Sequence, residues 1–177
     1  MANRSSSIRA LGIGFVAGLR SMAAPAAVSW AATTGRIHLA SFPYCLLDTT
    51  RVARTTRKLA LGEIISDKTP IAPSRLKPAS LTWRLISGGV CGAALSTSDG
   101  GDAGRGAALG ATGALVGSLL GYAWRTRARQ RLHAPDFPLA LLEDMVAVGS
   151  AAVLVSCSSR AGARDGWADV DSPAWLP

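Results

Sequence analysis

From Gly106 to Trp124 the chain carries no charged residue, and Arg105 and Arg125 close the run at its two ends. An α-helix needs about 20 predominantly apolar residues to cross the hydrocarbon of a bilayer. This one segment therefore limits the fold to a membrane helix or the buried centre of a large helical core. Three further runs share its character: Ala10 to Thr34, Leu81 to Ser98, and Pro138 to Cys157. Basic residues fall in blocks between them: Arg51, Arg54, Arg57 and Lys58; then Lys68, Arg75, Lys77 and Arg84; then Arg125, Arg127, Arg129 and Arg131. Cations gathered at the ends of apolar runs are the pattern of cytoplasmic loops. The expectation is an all-α, multi-pass transmembrane helix bundle of four or five spans in a bacterial inner membrane. Residues 1–9 form a tail, 10–157 the membrane domain and 158–177 a polar C-terminal tail that rests its tryptophans on the interface or stays unfolded.

Composition separates this reading from its competitors. Hydrophobic residues make up 49% and charged residues only 17%, where a soluble domain carries about a quarter charged. Nineteen glycines suit helices that approach closely in lipid. The net charge of +8 raises nucleic acid as a partner, but no basic face with interleaved aromatics accompanies it. The bilayer is the expected partner, and nucleic acid is not. Cys45, Cys91, Cys157, His38 and His133 stand apart from one another, which gives neither a disulfide framework nor a zinc motif. No metal or cofactor is assigned. The N-terminus has the outline of a signal peptide, but Arg20 interrupts the run and apolar sequence resumes to Ala32, longer than a usual signal core. Gly12-Ile13-Gly14-Phe15-Val16-Ala17 fits the loose dinucleotide pattern without the strand or the acidic ribose ligand it requires.

The stretch from Phe42 to Asp67 is the least regular. Arg51, Arg54, Arg57 and Lys58 at mid-bilayer would be costly, so an interfacial helix leading into a short apolar piece, Leu59 to Ile65, is expected. On the surface, this stretch leaves four spans with both termini outside. Crossing, it gives five spans with the N-terminus inside. Either way 68–84 and 125–131 face the cytoplasm and the Ser96–Gly104 loop faces out. Leu59-Ala60-Leu61-Gly62-Glu63 resembles Leu139-Ala140-Leu141-Leu142-Glu143, and Ala10-Leu11-Gly12 recurs as Ala108-Leu109-Gly110. Two related halves, a common plan in small transporters, are therefore an expectation to test against the composition that also favours such matches.

Three groups of residues are candidates for chemistry. Arg20 sits inside an apolar run, where a guanidinium needs a partner or a water-filled cavity. Pro25 breaks or kinks a helix there, and broken backbone at membrane depth is tolerated only when buried or lining a cavity. Arg20 is then either an anion ligand or the ion-pair partner of Glu63, Asp67, Glu143 or Asp144. Glu63 and Asp67 are four apart and share a helical face. Glu143 and Asp144 occupy the opening turns of the last helix, where the dipole favours carboxylates. A different signal comes from Gly106, Gly110, Gly113, Gly117 and Gly121, whose steps of three and four place all five on one face. That face lets another helix approach closely, within the chain by preference or across a homo-oligomer.

The sequence resembles an uncharacterised bacterial membrane-protein family catalogued only as a domain of unknown function, four-one-two-six. The matching features are Gly18-Leu19-Arg20-Ser21-Met22 with Ala24-Pro25-Ala26, and Gly62-Glu63 with Asp67-Lys68, Pro70, Pro73 and Arg75. Ser87-Gly88 with Cys91-Gly92-Ala93, and Leu141 with Glu143-Asp144, complete them. The resemblance covers residues 10 to 157 and implies an integral membrane protein with no established activity. Such proteins look apolar where this chain has Asp48 to Lys58, which argues against a full span there. The residues themselves point to a small transporter or channel-like protein, with Arg20 binding a small anionic or lipid-phosphate group. Glu63 and either Glu143 or Asp144 would couple a proton or cation. The alternatives are a membrane enzyme acting on a lipid phosphate, and an assembly protein packing through its glycine face.

Overall fold

A computed structural model of the chain describes residues 4–39, 43–66, 78–132 and 136–156; the side chains of 64–66, 129–132, 136–140 and 143 fall outside that description. Among the described residues the fold is all α, with no strand. Six α-helices, α1 (Arg4–Leu19), α2 (Ala23–Thr33), α3 (Thr50–Ser66), α4 (Pro78–Ser98), α5 (Ala103–Leu132) and α6 (Asp136–Ser156), are joined by turns and one 3-10 turn at Tyr44–Asp48. The C-terminal tail, residues 158–177, lies outside the described residues, as do Asp67, Lys68 and Cys157.

Glycines set the central packing. Added Cβ atoms at Gly106 and Gly110 would strike the backbone of Gly92 and Gly88 on α4, and at Gly113 and Gly117 that of Leu11 and Phe15 on α1. The stripe on α5 is thus divided between two neighbours, and α1 and α4 pack against each other as well. Gly121 is buried beyond it. Backbones this close leave no room for side chains at the contacts themselves, so small residues make the crossings; Ile13, Val16, Val28, Leu95 and Val155 fill the core beside them, and many other large apolar side chains point outward. Ala10, Ala17, Ala114 and Ala147 are fully buried, while Leu120, Leu142, Met145 and Val153 are more than half exposed.

Pairings along the helices give their directions. Arg9 on α1 bonds Asp99 at the end of α4, and Arg84 near the start of α4 bonds the end of α1, so these two run antiparallel. Gly14 and Gly18 meet Gly110 and Ala114 in the same order, so α1 and α5 run parallel. On α6, Leu154 meets Arg9 and Asp144 meets Arg20. The end of α2 lies beside the end of α6, where Arg36 donates to the Ser156 hydroxyl at 3.3 Å. Consequently α2 runs back along the path of α1. The stretch from Ala10 to Thr34, expected as a single span, is instead a helical hairpin whose ends lie together. Its turn, Arg20–Met22, sits roughly 16 Å from the Arg9–Asp99 level at about 1.5 Å per helical residue, and α5 continues about 20 Å past it. Gly35, at φ 71°, ends α2 in the left-handed conformation a side chain disfavours, letting Arg36 N–H reach the Ala31 carbonyl at 2.9 Å.

Three other expectations are revised. The 42–67 stretch holds one continuous helix from Thr50, rather than a surface helix followed by a separate apolar piece. Among the described residues, length and apolarity single out one helix as able to cross a membrane by itself, Ala103–Ala128; the described part of α6, Asp144–Ser156, is also apolar. Finally, α1 and α5 run parallel whereas α3, which returns along α2, and α6 run opposite ways. No single operation relates those two pairs, so the short sequence matches reflect composition.

Candidate functional site

A helical hairpin inside a bundle must satisfy the carbonyls that end its first helix and the N–H groups that begin its second. Three neighbours supply partners. Arg84 donates to the Gly18 carbonyl and, at 3.0 Å, to that of Leu19. Ser118 on α5 donates to Gly18 at 3.2 Å. On the other side, the Glu63 carboxylate accepts from Ser21 N–H at 3.1 Å, the Ser21 hydroxyl at 2.9 Å and Met22 N–H at 2.9 Å. A cation thus closes the negative end of α1 and an anion the positive end of α2, as the helix dipoles favour. Arg84 and Glu63 also approach each other to 3.9 Å.

Pro25 fits this turn without breaking α2. It is the third residue of the helix, where its missing N–H costs nothing. The break expected at Pro25 lies at Arg20–Met22 instead. The carbonyl that a residue at position 25 would have engaged belongs to Ser21, and the Ser87 hydroxyl donates to it at 2.7 Å.

Arg20 occupies the turn itself and forms an ion pair with Asp144. The two are only 3% and 7% exposed. Of the carboxylates read from the sequence as partners for Arg20, Asp144 takes that role and Glu63 takes the helix end. Glu143 adjoins Asp144 on α6, but its side chain lies outside the described residues, and Asp67 lies outside them altogether. Among the described residues no three of His, Cys, Asp and Glu gather as a metal-binding set.

The pair opens onto a cavity of about 250 Å³ between α2, α3 and α6. Arg20, Glu63 and Asp144 stand at its inner end, Arg57 on one side and Trp30 toward the other end; most of the remaining wall is alanine. Trp30 is held by the Arg36 guanidinium, 4.7 Å from the ring centre, a cation–π contact.

Arg84 and Arg57 were not singled out for chemistry in the sequence, where both read as loop cations. The signal for Arg84 was available: Ser87, Gly88, Cys91 and Gly92 follow at helical spacing, which puts the arginine on the face that packs inward. All four are buried.

The fold and site define an all-α bundle built round a buried helical hairpin, with an Arg–Asp ion pair at its turn. The chain belongs to the family described as Domain of unknown function (DUF4126), whose model matches residues 8–158. No curated protein and no solved structure matches it.

Proposed function

We propose that the protein is a multi-pass membrane transporter of the bacterial inner membrane, in which Arg20 exchanges its countercharge between Asp144 and a small anion. The membrane placement is supported by the large apolar side chains left on the outside, among them Leu119, Leu120, Leu142, Met145, Val148 and Val153, each half exposed or more. An apolar belt of that extent in water would aggregate; in hydrocarbon it costs nothing. In this placement α3, α4, α5 and α6 make four crossings with Arg4 and Ser156 at the same end. The hairpin of α1 and α2 is re-entrant, its turn within the bilayer. The end bearing Arg125 and Arg127 is cytoplasmic.

The observation that carries the transport reading is the buried Arg20–Asp144 pair facing a cavity. A guanidinium at such depth must keep an anionic partner, since removing one member of a buried pair strands the other charge. If Asp144 takes up a proton, it becomes a neutral acid and Arg20 loses the countercharge that Asp144 gave it. An anion entering the cavity supplies it. When the anion leaves, Asp144 returns its proton and recovers Arg20. Each cycle therefore moves one proton with one negative charge, and Glu63 stays at the helix end as scaffold. The glycine face, filled from within the chain, is not left for an assembly partner.

Proteoliposomes with an imposed inside-alkaline gradient test this. Benzenesulfonate is the probe because it does not cross lipid as a neutral acid. Uptake should exceed that of protein-free vesicles, follow the gradient and vanish in Arg20→Gln. Asp144→Asn, which keeps the neutral form, should retain exchange of the probe but lose the proton drive. It should also be stabilised by added formate where the wild type is not. Uptake indifferent to the gradient, or an Asp144→Asn protein blind to formate, refutes the exchange.

A further inference from the structure

We infer that the cavity selects amphipathic monoanions, an anionic head on an unsubstituted hydrocarbon body of about eight carbons. The inference takes from the transport reading only that the cavity receives an anion. Charge sets the first requirement. At the inner end Arg20 is matched by Asp144, and Glu63 by two backbone N–H groups and Arg84. Arg57 lines the cavity from α3 as an exposed cation outside these pairs. With the pairs intact it adds one positive charge to the lining, and a singly charged anion neutralises it.

The walls set the second requirement. Ala23, Ala26, Ala27, Val148, Ala151 and Ala152 line the body of the cavity and present no side-chain hydrogen-bonding group. A hydroxylated or amino-bearing ligand would bury polar groups there without partners, a cost of roughly 1–3 kcal/mol each. A hydrocarbon body loses nothing of that kind and gains by leaving water. Trp30 adds an aromatic ring to the lining. Size sets the third requirement: 250 Å³ is room for about eight water-sized groups at roughly 30 Å³ each. The acyl chain of an ordinary membrane phospholipid, about twice that length, is longer than the lining can cover. The ligand is thus a small free amphiphile rather than a bilayer lipid.

Protein in nanodiscs, titrated calorimetrically with alkanesulfonates from ethane- to decanesulfonate, tests the inference, with gluconate as a polar-bodied control. Affinity should rise up to about fourfold per methylene, level off near eight carbons, and be weak for gluconate. Arg57→Gln, a change at an exposed position, should weaken octanesulfonate about tenfold. Ala27→Leu should move the levelling-off to a shorter chain. Affinity independent of chain length would mean a headgroup site only and overturn the inference. So would affinity rising through decanesulfonate and indifferent to both variants, which is bilayer partition. A phospholipid that copurifies and is displaced from the cavity by none of these probes overturns it as well. Selective binding without proton-driven uptake would sink the transport reading and leave this inference standing; proton-driven benzenesulfonate uptake without chain-length selectivity would do the reverse.

Discussion

Removing both members of the Arg20–Asp144 pair should cost less than the sum of removing each, and the difference can be sized from the structure. The two side chains retain 3% and 9% of their accessibility, so each has given up nearly all its water. Opposite charges about 4 Å apart attract by roughly 4 kcal/mol at an effective dielectric of 20. Arg20→Ala leaves Asp144 as a stranded carboxylate, and Asp144→Asn leaves Arg20 as a stranded cation; each should destabilise by about 3–5 kcal/mol. The double variant strands neither, so its cost should fall short of the sum by at least about 2 kcal/mol. For a chain of this length each kcal/mol corresponds to about 2–4 °C in Tm. The assay is unfolding of the detergent-purified protein, followed by circular dichroism, for the wild type, both singles and the double. Arg20→Ala paired with Glu63→Gln serves as a second cycle, expected to show weaker coupling because Glu63 bonds the backbone turn and Arg84. Additivity of Arg20→Ala and Asp144→Asn within about 0.5 kcal/mol would refute the pairing. With it would go the argument that Arg20 must always hold an anion.

Glu63→Gln alone should cost about 1–2 kcal/mol through loss of the charged cap on α2, and hydrogen exchange should quicken at the Ser21 and Met22 amides before it does elsewhere in α2. Gly110→Ala should destabilise by about 1–3 kcal/mol, because its Cβ meets the Gly88 carbonyl. Gly62→Ala, with nothing within 4 Å, should stabilise by up to about 1 kcal/mol through helix propensity. The same thermal scan checks both, and equal effects would refute the packing argument. Cysteines introduced by Thr34→Cys and Asp102→Cys in a cysteine-free background should label from one side of the membrane and Arg127→Cys from the other. Labelling of Thr34→Cys with Arg127→Cys would restore a full span over 10–34 and remove the hairpin.

Helix positions were legible because apolar runs and their charged ends mark them: the run closed by Arg105 and Arg125 lies within α5, and that from Leu81 to Ser98 within α4. The glycine stripe was legible for the same geometric reason, although one face serving two neighbours was not, since spacing reports direction round a helix and not who stands there. The hairpin escaped because a reversal and a kink have the same composition. Gly18-Leu19-Arg20-Ser21-Met22 interrupts the run in either case, and only the partners of Arg9 and Arg36, at opposite ends of the segment, show that it doubles back. Pro25 drew the break toward itself, although proline is well placed in a first helical turn. The partner of Arg20 was narrowed to four carboxylates, and sequence has no means of going further. Asp144 and Glu63 are both apolar-flanked acids, and their roles differ through the tertiary approach of α6 and α3.

The turn now has two kinds of charge, and they answer different questions. Arg84 and Glu63 bond backbone groups whose need is fixed by the hairpin itself, so neither can leave without uncapping a helix. Arg20 and Asp144 pair side chain to side chain, so a proton on Asp144 can open their bond without uncapping a helix. That division places the mobile charge against the cavity and the fixed charge behind it. Conservative replacements should separate them: Arg84→Lys, which cannot serve two carbonyls and Glu63 in one planar fork, should lose stability whatever anion is added. Arg20→Lys keeps a cation for Asp144 and should instead retain most of the stability while changing which anions the protein accepts. If both replacements behaved alike, the distinction between scaffold and exchangeable charge would fail.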